Sequence, residues 1–551
     1  MTRARVIETD ICIIGSGITA AMMAEKLAAE WHAKVTVIEA GGPSAPLVQR
    51  AIRRARWQDY GETPWPGDHL DDQNALGTAH GFSPSMNVGG LAMHWGGVTP
   101  RYSPEDFRLR SEFGVGDDWP ITYDDLDPFY QEAEERMGIC GEQGPVELDP
   151  RSKPFPMPPL PLSYNLQLLR EWASKAGIPM WSQPSAKNSV PYQGRGVCQR
   201  CDTCYPVCPT GAKYSPDFSF DALVKAGKIS LVTNTLVRRL VADDKTGRIV
   251  RATGNSTRRT NGGRGASDGA REPGEEVEIV ARAFVLTAGF TWSPHLLLLS
   301  RSSRYPAGLA NRSGLVGKYL CGHRNVAAQI RLPMALYPGL NVQHSLVTKK
   351  FMRPGKIARY MRHDLRVWES SFGREARLRN ERGDLLLGDS LLADWRERAK
   401  TGAARVRAYY DVIPAKESEL TLDAAAENRW GDPMPRLQFR DAPESVELRG
   451  HTEDSIRALF REMARAGNGQ VISSESASGD IGQEHPGGGC RMGTDPSRSV
   501  VDGWGRAHDH ENLFVAGAPT NVSASCCNGT LTFGALGLRA AAKVGEAFPR
   551  R

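Results

Sequence analysis

The fold is decided by residues 9–40, TDICIIGSGITAAMMAEKLAAEWHAKVTVIEA. A short β-branched apolar run, a glycine turn, a stretch with helical spacing and a second apolar run follow one another, which predicts a βαβ unit of about thirty residues. Gly15, Gly17 and Ala20 fit the pattern G-x-G-x-x-G/A. The first glycine allows a tight turn, the second lets the backbone approach a pyrophosphate, and the small third residue lets the helix pack close to the strand. Glu39 ends the second strand, where a carboxylate can accept hydrogen bonds from ribose hydroxyls. The segment therefore predicts dinucleotide binding, and glycines that serve only the turn are the alternative.

The composition is that of a large globular protein. The chain has 551 residues, 40% of them hydrophobic, so it can bury a large core. The 69 Lys and Arg residues against 63 Asp and Glu leave a net charge of +6, which is spread along the chain, so no nucleic acid partner is expected. No run of about 18 apolar residues occurs, so no transmembrane segment is expected. Residues 1–17 show no apolar core with a cleavage site, and the sequence by itself predicts a cytoplasmic protein.

Six segments carry a resemblance to a known family. They follow that family's order and span most of the chain, and together they resemble the glucose-methanol-choline (GMC) family of flavin oxidoreductases. The segments are GSGITA (15–20), NVGGLAMHWGG (87–97), FVLTAGFTWSPHLLLLS (284–300), HPGGGCRMGTDPSRSVVDGWGRAH (485–508), ENLFVAGA (511–518) and NGTLTFGALGLRAA (528–541). The resemblance implies that the cofactor is FAD rather than NAD. It adds to the cofactor site the residues Gly89, Gly90, Val237, Gly517, Ala518 and Thr530.

The resemblance also implies the fold class. It is α/β, with a Rossmann-like FAD-binding domain and an inserted α+β substrate-binding domain. The run ENLFVAGA supports this, because it suits a buried strand of a nucleotide-binding sheet close to the end of the chain. The expected domains are a discontinuous FAD-binding domain at 1–150, 195–310 and 475–551, which includes a cysteine-rich segment at 196–216, and a substrate-binding domain at 151–194 and 311–474.

Two residues near the C-terminus are the candidate catalytic pair. By resemblance, His485 is the active-site base and Asn528 is its partner. The chemistry agrees, since oxidation of an alcohol needs a group that takes the hydroxyl proton, and imidazole titrates near neutral pH. An amide can hold the alcohol oxygen and orient the C–H bond. The alternative bases are His508 and His510, which we expect to face solvent in a polar turn. The chain departs from the family at Gly529, where a proline is usual.

His94 is a candidate for covalent attachment of the cofactor. It lies four residues after Gly90, in GGLAMHW. Pyranose oxidase and choline oxidase, both of this family, place a histidine at the same offset from the paired glycines and link it to the flavin 8α carbon, whereas other members lack it. The alternative is a histidine that packs beside a tightly held FAD.

Four cysteines between residues 198 and 208 predict a metal site. Cys198, Cys201, Cys204 and Cys208 follow the spacing C-x2-C-x2-C-x3-C-P, which is that of bacterial ferredoxin ligands. Zinc sites usually pair two C-x2-C knuckles across a longer gap or recruit histidine, and no histidine is near. Zinc and disulfides remain the alternatives to an iron–sulfur cluster.

A second resemblance bears on the kind of cluster. The segment resembles the catalytic subunits of bacterial membrane-linked sugar and sugar-acid dehydrogenases of the same family, in which three cysteines ending in CPxGAxY hold a [3Fe-4S] cluster. Cys198, Cys204 and Cys208 match those three positions. Cys201 is the additional thiolate that a [4Fe-4S] cluster would need, so both types stay open.

These features predict an FAD-dependent enzyme that oxidises a hydroxyl of a sugar or glycoside by hydride transfer to flavin N5. Electrons would leave through the cluster to an acceptor protein or a quinone. The alternative is an oxidase like pyranose oxidase, which uses oxygen and in which the cysteines are structural. A non-catalytic relay subunit is a further alternative, against which the presence of His485 and Asn528 argues. Related dehydrogenases borrow a small exported subunit, and such a partner would place the protein in the periplasm.

Overall fold

The structure is a computed structural model of the chain. It describes residues 4–44, 46–48, 50–51, 86–204, 208–257, 274–336, 344–357, 359–369, 377–380, 382–428, 430–476 and 483–549.

The first of two large sheets contains the βαβ unit. Its strands are β1 (Arg5–Ile14), β2 (Val35–Ile38), β4 (Ile229–Val232), β5 (Thr235–Ala242), β6 (Ile249–Ser256), β7 (Glu276–Leu286) and β16 (Leu513–Val515). They are ordered β4-β2-β1-β7-β6-β5, with β16 also paired to β7. The strands β4, β2, β1, β7 and β16 run parallel, whereas β6 and β5 continue the sheet antiparallel.

The centre of this sheet is covered on both faces. Residues 11–14 of β1 and all of β2 are buried, as expected for parallel strands between layers of helices. Strand β1 begins four residues before the predicted run, because Arg5 pairs with Val277 of β7 in an exposed part of the sheet. The apolar run therefore predicts which part of β1 is buried, residues 11–14, but not where the strand begins.

The second sheet is antiparallel. Its strands are β3 (Trp181–Ser182), β8 (Cys321–Leu332), β9 (Leu346–Thr348), β10 (Leu365–Glu369), β11 (Gly402–Asp411), β14 (Gln470–Ser476) and β15 (Glu484–Gly487). They are ordered β14-β8-β11-β10-β9-β3, with β15 also paired to β8. A separate pair consists of β12 (Glu419–Glu427) and β13 (Pro433–Gln438).

The helices pack on the sheets. They are α1 (Ile18–Lys26), α2 (Leu109–Phe113), α3 (Tyr123–Met137), α4 (Tyr164–Lys175), α5 (Pro216–Lys225), α6 (Gly289–Leu299), α7 (Asp389–Arg398), α8 (Pro443–Ala466) and α9 (Thr530–Ala547). Helix α1 packs against α9 beside the first sheet, and α8 packs on β8 of the second. Among the residues described, none of the helices combines the length and apolarity needed to cross a bilayer.

Helix ends follow local sequence signals. Helix α3 begins after Thr122, whose hydroxyl accepts a hydrogen bond from the backbone N–H of Asp125 while the Asp125 carboxylate accepts one from the Thr122 N–H. The helical stretch after the first glycine turn continues beyond α1 as a wider turn over Leu27–Trp31, and it ends at His32 in the left-handed conformation. The predicted α/β fold class with a Rossmann-like sheet is confirmed.

The segment after β15 bonds to the segment after β16, since the N–H groups of Gly488 and Cys490 donate to the carbonyl oxygens of Ala518 and Pro519. Strand β15 follows the part of the chain assigned to the substrate-binding domain, yet it pairs with β8 of the second sheet. The domain boundaries stated above stay a prediction.

Candidate active site

The structure brings the predicted catalytic pair together. His485 lies on β15 with φ of 51°, and Asn528 lies in the turn before α9. Asn528 Nδ2 is 2.6 Å from His485 Nε2. The left-handed conformation of His485 coincides with an irregular register between β15 and β8, where Glu484 pairs with His323 and Gly487 with Cys321. This bend turns the imidazole away from a regular strand direction and toward Asn528.

A hydrogen-bonded chain extends from this pair in both directions. On one side, His485 Nδ1 is 2.9 Å from His323 Nε2, and His323 Nδ1 is 3.0 Å from the carbonyl oxygen of Ser525. On the other side, Arg366 donates to Asn528 Oδ1. Arg366 Nε also donates to Asp364 Oδ2 at 2.8 Å. Both side chains of the predicted pair are therefore held by partners on the second sheet.

The aromatic ring of Tyr409 packs against both histidines. The Tyr409 ring centroid lies 4.3 Å from that of His323 and 5.7 Å from that of His485. The Tyr409 hydroxyl donates to Glu484 Oε2 at 2.6 Å, and Arg407 stacks 4.2 Å over the Tyr409 ring. The carboxylate of Glu484 is thus engaged with tyrosine and does not bond to either imidazole.

The site holds both histidines neutral. Burial is the larger cause and the cations Arg366 and Arg407 are the smaller ones, and together they lower the pKa of His485 to about 3. Burial, together with His485, holds the pKa of His323 well below its ordinary value. His485 is closely surrounded by protein atoms, yet part of its surface remains open to solvent. A neutral, partly accessible imidazole can accept a proton.

His323, Arg366 and Tyr409 were missed by the sequence analysis. They lie on β8, β10 and β11, in the region that matches the family only loosely. Alternating polar and apolar residues on these strands give the same signal as ordinary sheet residues. Only the antiparallel registers of the strands bring the three side chains to one place.

The alternative bases lie in other surroundings. His510 is 1% exposed, and its Nδ1 is 2.7 Å from the carbonyl oxygen of Gly247. His508 is partly buried, with Nε2 at 2.8 Å from Ser499 Oγ. The expectation that both face solvent was wrong for His510, because its ring is used to join two loops. Neither ring is bonded to His485 or Asn528.

The glycine turn before α1 forms a cradle. Gly15 has φ of 98°, and a Cβ at this position would lie 2.9 Å from the Cα of Ala288, so only glycine suits the turn. A Cβ at Gly17 would meet no protein atom within 4 Å, and one at Gly90 would lie 3.6 Å from the Cα of Gly17. The turn and the Gly89–Gly90 segment therefore face each other beside open space at the helix N-terminus. An anionic group suits this place.

Glu39 holds the same turn from the end of β2. Its carboxylate accepts hydrogen bonds from the backbone N–H of Ser16 at 3.1 Å and of Gly41 at 2.8 Å. It is 6% exposed. These bonds fix the turn itself, and a role toward ribose hydroxyls stays a prediction.

The other predicted cofactor residues lie in five places along the chain. Val237 is on β5, whose first residue, Thr235, donates its N–H to the Glu39 carbonyl. Gly517 and Ala518 follow β16, and a Cβ at Gly517 would lie 2.3 Å from Thr19 Oγ1 of α1. The remaining positions are Ala20, buried within α1, His94, partly exposed after the short turn Gly90–Met93, and Thr530, the first residue of α9.

Comparison with known proteins agrees with this architecture. The GMC oxidoreductase family model matches residues 414–537. The fructose dehydrogenase large subunit of Gluconobacter japonicus is 31% identical, and the alignment covers 97% of this chain and 97% of that protein. The chain belongs to the GMC oxidoreductase family. The 6'''-hydroxyparomomycin C oxidase of Streptomyces lividus is 27% identical, with 96% of this chain and 90% of that protein covered.

A solved structure has the same fold. A mutant formate oxidase of Aspergillus oryzae RIB40, studied for FAD modification, superposes with a TM-score of 0.59 at 15% identity, over 99% of each chain. Its membership of the GMC oxidoreductase family, whose matched relatives include dehydrogenases and oxidases, makes this GMC protein an FAD-dependent oxidoreductase that acts on CH–OH donors. The open cradle at Gly17, next to the N-terminus of α1, fits the pyrophosphate of FAD.

The four cysteines differ in their surroundings. Cys204 and Cys208 are buried, Cys198 is half-buried and Cys201 is exposed. Burial raises the pKa of the Cys198 thiol, and the charges of the Cys204 and Cys208 thiolates raise it to a smaller extent. Within the described residues, which leave out 205–207, no group of three or more His, Cys, Asp or Glu side chains is arranged to hold a metal ion. The thiolate donors suit iron, but their arrangement among the described residues is not that of a closed site.

A buried lysine ties the cysteine segment to the segment that carries His94. Lys213 Nζ donates to the carbonyl oxygens of Cys204 at 2.7 Å and Trp95 at 2.5 Å. Burial lowers its pKa to about 8. Lys213 therefore links the backbone of the cysteine segment at Cys204 to the part of the chain that carries His94.

Proposed function

We propose that this enzyme oxidises a hydroxyl of a sugar or glycoside to a carbonyl. The observation that carries the proposal is the 2.6 Å contact between His485 Nε2 and Asn528 Nδ2. His485 lies on a strand of the second sheet, and Asn528 lies just before helix α9, which packs against α1. The sugar substrate is supported by the relative named as a fructose dehydrogenase.

The side chains divide the chemistry between them. His485 Nε2 takes the hydroxyl proton while hydride leaves the carbon. Asn528 Nδ2 donates to the substrate oxygen and so orients the C–H bond. Arg366 bonds to Asn528 Oδ1, which fixes the amide and puts a positive charge close to the oxygen as negative charge develops on it. FAD, when bound, supplies the hydride acceptor at N5.

Flavin reduction by candidate sugars tests this proposal. Purified holoenzyme is mixed anaerobically with fructose, glucose, gluconate, a methyl glycoside and simple alcohols, and the flavin absorbance is followed. We expect rapid bleaching by at least one sugar or glycoside and slow or no bleaching by simple alcohols. Bleaching by simple alcohols alone would contradict the substrate class.

We further propose that electrons leave singly through an iron–sulfur cluster to an external acceptor, which is a protein or a quinone. Supporting features are the ferredoxin-like spacing, the burial of Cys204 and Cys208, and the link through Lys213 to the segment that carries His94. The three buried or half-buried thiols favour three-cysteine ligation, with the exposed Cys201 outside it.

Metal analysis of matched variants tests the cluster. Anaerobically purified protein should contain about three irons per chain with three ligands, or about four if Cys201 also binds. Cys204→Ser should lose iron, whereas Cys201→Ser should keep it if the cluster has three ligands. Stoichiometric zinc without iron would contradict the proposal.

The second candidate is a sugar oxidase that passes electrons to oxygen. It is favoured by His94, which has the offset from Gly90 seen in pyranose oxidase. The two candidates are separated by turnover with oxygen against turnover with a quinone analogue. A mass spectrum of the unfolded chain decides covalent attachment separately, because a linked FAD adds its mass to wild type but not to His94→Ala.

A further inference from the structure

The hydrogen-bonded chain around His485 ends in a group that can only accept. His323 Nδ1 lies 3.0 Å from the carbonyl oxygen of Ser525, so this nitrogen must carry a proton. His323 is 0% exposed, and its surroundings hold it neutral. A neutral imidazole protonated at Nδ1 has a free lone pair at Nε2. His485 Nδ1, 2.9 Å away, must therefore be the donor in the contact between the two rings.

The other end of the chain gives the same assignment independently. Arg366 has only donors, so the Asn528 amide presents Oδ1 to Arg366 and Nδ2 to His485. The Nδ2 group is also a donor. His485 Nε2 must then be the acceptor, which again leaves the proton of His485 on Nδ1.

We propose that His323 is a positioning residue that holds the base, His485, in the tautomer protonated at Nδ1. This leaves Nε2 without a proton, so that its lone pair accepts from Asn528 Nδ2 here and can accept the substrate proton once the substrate hydroxyl takes that place. The inference deepens the proposed function and rests on it. After His485 takes the proton, its Nδ1–H still donates to His323, so the ring keeps its orientation through the reaction.

Glu484 and Tyr409, which lie near His485, do not bond to its Nδ1. Glu484, the carboxylate next in sequence to His485, accepts from Tyr409 and from Asn325 Nδ2 at 2.6 Å. Tyr409 contacts both rings through its face and edge, and its hydroxyl is used by Glu484. His323 is the described side chain that bonds to His485 Nδ1.

The tautomer can be measured without any substrate. Solid-state NMR of the wild-type holoenzyme labelled with ¹⁵N-histidine distinguishes the two neutral tautomers and the imidazolium, and the His485→Gln spectrum assigns the signal among the 12 histidines. We expect His485 to be neutral, protonated at Nδ1 and bare at Nε2. Protonation at Nε2, or an imidazolium at neutral pH, would overturn the proposal. This result stands apart from the identity of the substrate, so it separates failure of this inference from failure of the proposed function.

Two variants test the consequence for the reaction. His323→Gln retains an amide oxygen as acceptor for the Nδ1–H of His485, whereas His323→Met offers only a weakly accepting thioether sulfur. We expect flavin reduction by saturating substrate to fall roughly 10²-fold in His323→Met and to recover to within about tenfold of wild type in His323→Gln. The solvent deuterium isotope effect should rise in His323→Met, because proton removal becomes slower than hydride transfer.

Controls separate positioning from loss of packing. His344→Met removes another buried histidine, whose ring lies 3.0 Å from Ser182 Oγ, and should leave the isotope effect unchanged. FAD content and melting temperature are measured for every variant. Equal loss in His323→Gln and His323→Met, with an unchanged solvent isotope effect, would show that His323 only packs. If neither variant folds, the wild-type NMR measurement still decides.

Discussion

The imidazole of His485 is surrounded by features that keep it uncharged. Burial removes the water that would stabilise the imidazolium, and Arg366 and Arg407 repel it, so the pKa falls to about 3. A base works in its deprotonated form, and with this low pKa the proposed base, His485, is deprotonated over the whole physiological range. The cost is a weaker base, which the fixed contact with Asn528 offsets by orientation.

This pKa predicts the pH dependence of flavin reduction. Because His485 takes up a proton only near pH 3, the rate should show no acid limb from this group between about pH 5 and about pH 8. Arg407→Met removes a repelling cation, so the pKa of His485 should rise and an acid limb should move upward toward neutral pH. Stopped-flow rates across this range provide the test.

Arg405→Met is the matched control for that variant. Arg405 lies two residues away on the same strand, β11, and is exposed. Its removal should leave the profile unchanged. A wild-type acid limb near the ordinary imidazole pKa, or a downward shift in Arg407→Met, would contradict the electrostatic description of the site.

The sequence could identify only part of this site. His485 and Asn528 lie in segments that resemble the family closely, so these motifs were sufficient to predict that the two side chains lie together. His323 and Arg366 lie on strands β8 and β10, far apart in sequence, and their meeting depends on strand register and on the left-handed turn at His485. No local pattern encodes such a meeting, because strand residues of this kind look like ordinary sheet positions.

A substitution in the turn between β1 and α1 should prevent FAD binding without preventing folding. A Cβ at Gly17 meets no protein atom within 4 Å, and the φ of this residue is −74°. Gly17→Val should therefore fold, while its side chain fills the space that the FAD pyrophosphate needs. We expect a colourless protein with native secondary structure, measured by flavin absorbance and circular dichroism.

Gly450→Val provides the matched comparison. Gly450 lies within α8, where a Cβ also meets nothing within 4 Å. This variant should stay fully loaded with FAD. Full FAD occupancy in Gly17→Val would contradict the assignment of the space at Gly17 to the FAD pyrophosphate.

Helices and strands could be predicted where a short stretch of sequence carries the signal for them. Strands β1 and β2 are buried apolar runs beside a glycine turn, and the start of α3 is marked by Thr122 and Asp125. The strands β3 and β9 contain only two and three residues, respectively. Such short strands form because a neighbouring strand offers hydrogen bonds, and no periodicity can appear in so few residues.

Buried neutral histidines predict how the stability of the protein depends on pH. The pKa values are lowered by burial to about 4 for His295 and His363 and to about 3 for His344 and His485, and they are also lowered for His323 and His510. Unfolding restores the ordinary pKa of 6.5, so below that pH the unfolded chain binds more protons than the folded one. Stability is therefore full above pH 6.5 and is lost as the pH falls toward the folded values.

Melting temperatures across pH test this linkage. We expect the melting temperature to fall steadily from about pH 7 to about pH 5. Carboxyls whose pKa burial raises oppose this trend: Asp411, raised to about 6, and Glu25, Asp221 and Asp364. The six histidines named above outnumber them. His363→Gln removes one titrating ring and should give a shallower fall. A melting temperature that rises over this range would contradict the assignment of these histidines as neutral.

The central claim is that His485 is the catalytic base beside FAD, and anaerobic stopped-flow reduction of the flavin in His485→Ala tests it most directly. We expect the rate to fall by roughly 10²- to 10⁴-fold while FAD stays bound. Asn528→Ala should cost less, since it removes an orienting hydrogen bond rather than the proton acceptor. His508→Ala, the control, should reduce its flavin at the wild-type rate. Flavin reduction at the wild-type rate in His485→Ala would contradict the mechanism, and the base would have to be another group.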